Sequence, residues 1–337
     1  MNIYAGIPLK LKSIKNYLAA GLLLLAPLTA DASYAERADV KTFVDGLVKR
    51  HGFDRKTVMA WIDDAQQQTS ALDAIARPAE SKPWKDYRPI FITQRRINQG
   101  VQFWRDNADI LARAEKTYGV PAQIIVAIIG VETFYGKRAG NYRVLDALVT
   151  LGFDYPPRGK FFQKELEQFF MMCKEQGFDP RHLKGSYAGA MGMPQFIASS
   201  FRAYAVDFDG DKTPDLWENR ADVIGSIANY FSKHGWQRDE PIATRATVPD
   251  SAKSLAGKKM KPEKTVGEYK KLGVTTLSDF DNNAKAVLLE LDGENGPEYW
   301  LGLNNFYVIT RYNHSPLYAM AAYQLSQAIT TRYRMHR

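Results

Sequence analysis

The chain has 337 residues, 45 % of them hydrophobic and 12 % aromatic, which is enough apolar material for a substantial core and excludes a disordered chain. One cysteine, Cys173, excludes an intrachain disulfide framework, so stability must come from the core or from a metal. A formal charge of +8 permits an acidic polymer as partner without identifying it.

Residues 1–32 stand apart from the rest. Lys10, Lys12 and Lys15 precede an apolar run through Ala19, Ala20, Leu22, Leu23, Leu24 and Leu25; Pro27 breaks it, and Ala30-Asp31-Ala32 supplies a small-x-small cleavage site. This pattern predicts a secretory signal peptide, with an uncleaved anchor as the alternative. No cysteine stands at the boundary to take a lipid. Removing the segment takes away three Lys and one Asp, lowering the formal charge from +8 to +6. The expected location is periplasmic, with membrane association left open, and export argues against nucleic acid as the partner.

Helical spacing follows over 36–66, with Val40, Phe43, Val44, Leu47 and Val48 on one face. Lys82-Pro83-Trp84 and Arg88-Pro89 read as a loop before a second helical stretch from Gln94 through Ile97, Val101, Phe103 and Ile110 to Tyr118. Residues 121–136 are almost wholly apolar and carry one carboxylate, Glu132. Pro121 suits the first helical position and Gly136 a left-handed stop, so the segment predicts a buried helix far too short to span a membrane. Glu132 would sit in its last turn, where desolvation and the negative end of the helix dipole both disfavour ionisation. A carboxyl group kept protonated near neutral pH is what a general acid requires. The plainer alternative is a helix-end Glu facing water or paired with Lys137 or Arg138.

Further helical patterns cover 161–177, 199–205 and 222–234. Beyond Trp236 the chain is richer in Lys, Thr, Val, Gly and Pro, with short segments such as Ala286-Val287-Leu288-Leu289-Glu290-Leu291. A last helix is predicted over 316–330, capped by Ser315. The fold class is therefore mainly α with a small β part. Its predicted organisation is a signal peptide (1–32), an N-terminal helical region (33–90), a catalytic core (91–236), a partly β insertion (237–298) and a return to the core (299–337).

Three other segments carry polar or flat side chains suited to a saccharide cleft. Gly185-Ser186-Tyr187-Ala188-Gly189-Ala190-Met191-Gly192-Met193-Pro194-Gln195-Phe196 combines glycines, which let backbone approach a ligand, with Ser186 and Gln195. Pro194 would start the next helix, leaving Gln195 in its first turn. Asn229-Tyr230-Phe231 and Phe306 to Ser315 supply aromatic rings and amides, although any one ring taken alone reads equally as core.

Taken in order, Glu132-Thr133-x-x-Gly136, the Gly-Ser-x-Ala-Gly-Ala-x-Gly-x-x-Gln-Phe loop, Ala228-Asn229-Tyr230 and Arg311-Tyr312-Asn313-x-Ser315-x-x-Tyr318 resemble the lytic murein transglycosylases of the MltB type. The resemblance spans roughly residues 36–335. It implies a lysozyme-like core that cuts peptidoglycan glycan strands between N-acetylmuramic acid and N-acetylglucosamine, leaving 1,6-anhydromuramoyl ends. It further implies that Glu132 is the single catalytic acid and base, and that Ser186 and Gln195 contact the saccharide. Met193, Tyr230, Tyr312, Asn313 and Tyr318 would shape the cleft and hold Glu132. Ala198 departs from the family's usual proline. A hydrolytic muramidase and a non-catalytic wall-binding protein are the competing readings; the expected partners are glycan strands and other cell-wall synthases or hydrolases.

The run Asp207-Phe208-Asp209-Gly210-Asp211-Lys212-Thr213-Pro214-Asp215-Leu216-Trp217-Glu218 matches calcium-loop positions 1, 3, 5, 9 and 12, with Thr213 placed to give a carbonyl. Lys212 stands where glycine is expected and Pro214 where an apolar residue is usual. The resemblance implies an EF-hand-like loop of unusual length, closed by Asp222 instead of Glu218. No cofactor is expected for the chemistry; calcium would be structural, and the alternative is an acidic surface turn.

Overall fold

The computed structural model describes residues 33–76, 82–257 and 260–335; the signal segment expected over 1–32 lies outside them. The N-terminal part folds as α1 (Ala38–His51), α2 (Arg55–Asp63), α3 (Thr69–Ile75), α4 (Trp84–Phe91), α5 (Gln94–Asp106) and α6 (Ala108–Tyr118). The stretch predicted as continuous over 36–66 breaks at Gly52, which takes φ +63° and ends α1 in the left-handed region. The loop expected around 82–89 is helical. Trp84 and Tyr87, three residues apart, are both buried, and that burial outweighs the one hydrogen bond lost at Pro89 inside α4.

Next come α7 (Ala122–Thr133), the short strand β1 (Tyr142–Arg143), α8 (Val144–Asp154), α9 (Gly159–Gln176), β2 (Lys184–Gly185), α10 (Ala198–Tyr204) and α11 (Arg220–Lys233). Helix α7 is the centre of the molecule. Every residue from Ile124 through Val131 is buried, as an apolar helix with no polar face requires. Helices α5, α6, α11 and the last helix, α14 (Pro316–Arg334), pack around it.

Beyond α11 the chain forms β3 (Ala243–Thr247), β4 (Lys264–Thr265), α12 (Val266–Lys271), β5 (Thr275–Thr276), β6 (Lys285–Gly293) and β7 (Gly296–Gly302), so that the β part runs past the expected limit at 298. Its five strands lie in the order β4-β6-β7-β3-β5, each neighbouring pair antiparallel. The apolar run in β6 serves two cores by alternation. Ala286 and Leu288 enter a small core with Val266, Tyr269 and Leu301, while Val287, Leu289 and Leu291 face the helical core. The sheet is thereby fixed to the helical body. Helix α13 (Asn304–Tyr312) and α14 then return beside α7, and Ser315 caps α14 by accepting from the Tyr318 amide, as the sequence predicts.

Candidate active site

Glu132 is the next-to-last residue of α7 and is half-buried. The helix stops earlier than expected. Pro121 caps its start, and Phe134, not Gly136, is its left-handed terminus, at φ +53°. Tyr135 (φ +62°) and Gly136 (φ +84°) continue in the same region, so three successive residues turn the chain sharply behind the carboxylate. Two of them are not glycine, which is backbone strain of the kind concentrated at functional sites.

Thr133 holds this turn. Its hydroxyl accepts from the Gly136 amide (3.0 Å) and donates to the Met193 carbonyl (3.0 Å), tying the end of α7 to the glycine-rich loop. A side chain at Gly136 would press on the Met193 sulfur, and one at Gly140 would overlap the Gly185 carbonyl, so the 133–140 segment and the 185–196 loop are in direct contact. Gln195 adds a clamp: its Nε2 donates to the carbonyls of Ala139 (3.0 Å) and Gly192 (2.9 Å). Contrary to the expectation that Pro194 starts a helix, Gln195 sits in a turn at φ +52°, and α10 begins only at Ala198. Ala198 occupies the first helical position, where proline is favoured, which explains the family's usual residue there. Ser186 Oγ accepts from the amides of Ala188 (3.3 Å) and Ala190 (3.1 Å), bending the loop's start into a tight turn.

On the other side of Glu132 stands a stack of phenols. Tyr318 donates its hydroxyl to Glu132 Oε1 at 2.5 Å. The Tyr312 ring lies nearly parallel to that of Tyr318 (centroids 6.4 Å apart, 5° between planes), and its hydroxyl donates to the Pro194 carbonyl at 2.6 Å. Tyr230 packs edge-on to Tyr312 and donates to the Arg311 carbonyl at 2.6 Å. Burial first, and the Glu132 charge second, hold Tyr312 and Tyr318 far above the ordinary phenol range, so both are permanent donors. Asn313 ends α13, and its carbonyl accepts from the Ser315 amide. Phe196, which packs on both Tyr230 and Tyr312, and Tyr87, whose phenol acts on Tyr318, belong to this wall although sequence reasoning did not single them out. Phe196 closed the quoted loop motif without a role of its own, and Tyr87 lay in the stretch read as a loop.

In the acidic loop, Asp207, Asp209 and Asp211 bring one carboxylate oxygen each within 4.8 Å of the others, a donor set of hard oxygens that fits calcium. Lys212 takes φ +83°, so the loop keeps the left-handed turn of a calcium loop at the cost of strain in a non-glycine residue. Thr213 gives its amide to Asp211. Glu218 and Asp222 are not gathered with the three aspartates. Glu218 is exposed, and the fully buried Asp222 accepts from the amides of Phe208 (2.6 Å) and Asp215 (2.8 Å), pinning both arms of the loop to α11. Asn219, which the spacing did not flag, caps α11 and donates to Asp209 (2.7 Å). The loop also supports the cleft directly: the Leu216 carbonyl accepts from the Met193 amide (2.8 Å), and the Trp217 indole donates to the Lys184 carbonyl (3.0 Å).

Residues 35–327 match the family described as transglycosylase SLT domain. The chain is 42 % identical over 324 residues to membrane-bound lytic murein transglycosylase B of Escherichia coli (strain K12), covering 92 % of this chain and 89 % of that protein. Its fold is similar to that of the soluble lytic transglycosylase SltB1 from Pseudomonas aeruginosa (TM-score 0.83, 52 % identity, 87 % of this chain and 99 % of that one). It is similar also to the Escherichia coli lytic transglycosylase Slt35 solved in complex with calcium (TM-score 0.82, 43 % identity, 89 % of this chain and 95 % of that one).

Proposed function

The chain belongs to the transglycosylase SLT domain family of peptidoglycan-cleaving lytic transglycosylases, and from that membership we propose that Glu132 is its single acid and base. The observation that carries the assignment is the Tyr318 hydroxyl on Glu132 Oε1, which fixes how the carboxyl group is turned at the end of α7. Glu132 protonates the oxygen between N-acetylmuramic acid and N-acetylglucosamine as that bond breaks. The substrate's acetamido group supports the positive carbon. Glu132, now a carboxylate, takes the proton from the muramoyl C6 hydroxyl, whose oxygen closes the 1,6-anhydro ring. No second carboxylate is required, because the nucleophile is already attached to the sugar and its effective concentration is high.

Ser186, Met193, Gln195, Tyr230, Tyr312, Asn313 and Tyr318 line or brace the cleft in this reading. With its amide nitrogen spent on Ala139 and Gly192, Gln195 would meet the saccharide through its carbonyl oxygen. Asp207, Asp209 and Asp211 would hold a calcium ion with Thr213, while Asp222 shapes the loop from beneath. The ion supplies charge neutralisation and loop rigidity, not chemistry. Residues 1–32 would export the enzyme to the periplasm, where it would meet glycan strands and other wall enzymes.

Mass spectrometry of fragments released from purified peptidoglycan tests the reaction. Expected are 1,6-anhydromuramoyl ends, one water lighter than hydrolysis products. Reducing muramic acid as the main product would make the protein a muramidase.

A further inference from the structure

Arg96, in the first turn of α5, is a buried cation, and among the described residues it forms no ion pair. Burial depresses its pKa and the dipole of its own helix repels it, so the charge is held there against its own preference. Its partners are backbone carbonyls. Nε donates to Gly130 in α7 (3.1 Å) and Nη1 to Ile90 in α4, while the guanidinium faces the Phe134 ring at 5.1 Å.

The Gly130 carbonyl needs this donor. In an uninterrupted helix it would accept from the Phe134 amide, but that amide goes to the Ile129 carbonyl, and the Tyr135 amide follows it there (3.2 Å). The bond that α7 loses where it turns left-handed is replaced by a charged one from α5. Tyr135 completes the attachment, because its hydroxyl donates to the Arg96 carbonyl (2.9 Å). A Cβ at Gly130 would lie 2.6 Å from that hydroxyl oxygen and one at Gly100 2.5 Å from it, so two glycines keep the space open. Glu132 lies between the two attachments, two residues after Gly130 and three before Tyr135.

We propose that Arg96 is a positioning residue for the reaction: by replacing the missing helix bond at Gly130 and receiving Tyr135, it fixes the last turn of α7 and with it the Glu132 carboxyl group. This rests on the reading of Glu132 given above. The bond to Ile90 holds α4 at the same point, and α4 carries Tyr87, whose phenol acts on Tyr318, the donor to Glu132. One side chain thus sets the spacing between the acid and the wall behind its hydrogen-bond partner.

The test compares the wild type with Arg96→Gln, Arg96→Lys and Tyr135→Phe. Arg95→Gln is the control, since Arg95 is exposed and faces the same Phe134 ring (5.4 Å). Turnover is measured on peptidoglycan well below each Tm, glycan binding is measured separately, and amide hydrogen exchange is followed over residues 130–138. Arg96→Gln should lower kcat about 10²-fold with KM and glycan binding within about twofold of wild type, the pattern of a misplaced group that acts in the transition state. Arg96→Lys keeps the charge but not the fork that reaches two carbonyls, and should recover about tenfold of that loss. Tyr135→Phe should lower kcat about tenfold and add little to Arg96→Gln, because both act on one turn. Exchange over 133–138 should quicken about tenfold in Arg96→Gln and keep the wild-type rate in Arg95→Gln. A wild-type kcat in Arg96→Gln despite a lowered Tm, or a loss carried by KM, overturns the proposal. If Arg96→Gln does not fold, Tyr135→Phe decides, and wild-type turnover and exchange in that variant overturn it. Turnover that survives Glu132→Gln would fall instead on the function proposed above, and the exchange measurement would still decide whether Arg96 holds the turn.

Discussion

Replacing Thr133 by valine keeps the shape of a fully buried side chain and removes only its hydroxyl. Two groups then lose their partner: the Gly136 amide and the Met193 carbonyl, each 3.0 Å from Thr133 Oγ1. Leaving a buried donor or acceptor unsatisfied costs about 1–3 kcal/mol, so Thr133→Val should destabilise the protein by roughly 2–5 kcal/mol. For a chain of this size that is a drop in Tm of roughly 3–8 °C. The activity should suffer beyond the loss of stability. The hydroxyl joins the end of the helix bearing Glu132 to the loop bearing Gln195, and a displacement of about 1 Å at a reacting group can cost on the order of 10²-fold in rate. Thermal melts followed by circular dichroism, with turnover measured well below both midpoints, separate the two effects. Thr133→Ser retains the hydroxyl and should recover most of both. A valine variant that melts with the wild type and turns over normally would refute the clamp, as would a serine variant as damaged as valine.

Glu132→Gln keeps the shape of the side chain and its contact with Tyr318 but cannot exchange the proton, so wall lysis should fall by at least roughly 10²–10⁴ while glycan binding persists; substantial lysis by the folded variant would remove Glu132 from its role. Millimolar calcium should raise Tm relative to chelator, by about 2.7 kcal/mol of stability at a hundredfold excess over Kd, and Asp209→Ala should abolish the response. Lys212→Gly should strengthen that response by relieving the left-handed lysine; a wild type indifferent to calcium would leave only an acidic turn. Burial raises the pKa of Glu167, but its bonds to Arg50 (2.7 Å) and His51 (2.6 Å) outweigh this and hold it below the usual carboxylate range. A depressed folded pKa contributes stability that is present above the unfolded value of about 4.3 and lost as pH falls through the folded one. Glu167→Gln should therefore lower Tm at neutral pH, with the gap closing below about pH 4; a gap independent of pH would contradict the pairing.

The helical class, the buried helix ending in Glu132, the capped last helix and the acidic loop were all legible in the sequence, because each rests on local signals. Apolar residues on every face demand burial, Ser315 marks a helix start, and alternating aspartates mark a loop. Four ordered motifs also placed the chain with its family. Other features depended on contacts between distant segments. Lys82 to Pro89 carries loop signals, yet α4 forms because Trp84 and Tyr87 find a core to fill. Phe134 looked like helix interior before Gly136, yet it turns left-handed because Thr133 bonds Met193, 60 residues away. Asp222 fitted the spacing of a ligand, but the amides of Phe208 and Asp215 engage both its oxygens. Nothing within 121–136 shows that Tyr318, 186 residues further on, would supply the hydrogen bond to Glu132. Periodicity and capping are encoded over a few residues, and so the sequence by itself determined most of the elements and singled out Glu132 as the candidate acid. Orientation of that acid belonged to the tertiary structure, because hydrogen-bond geometry over roughly 2.5–3 Å is fixed only when remote helices pack.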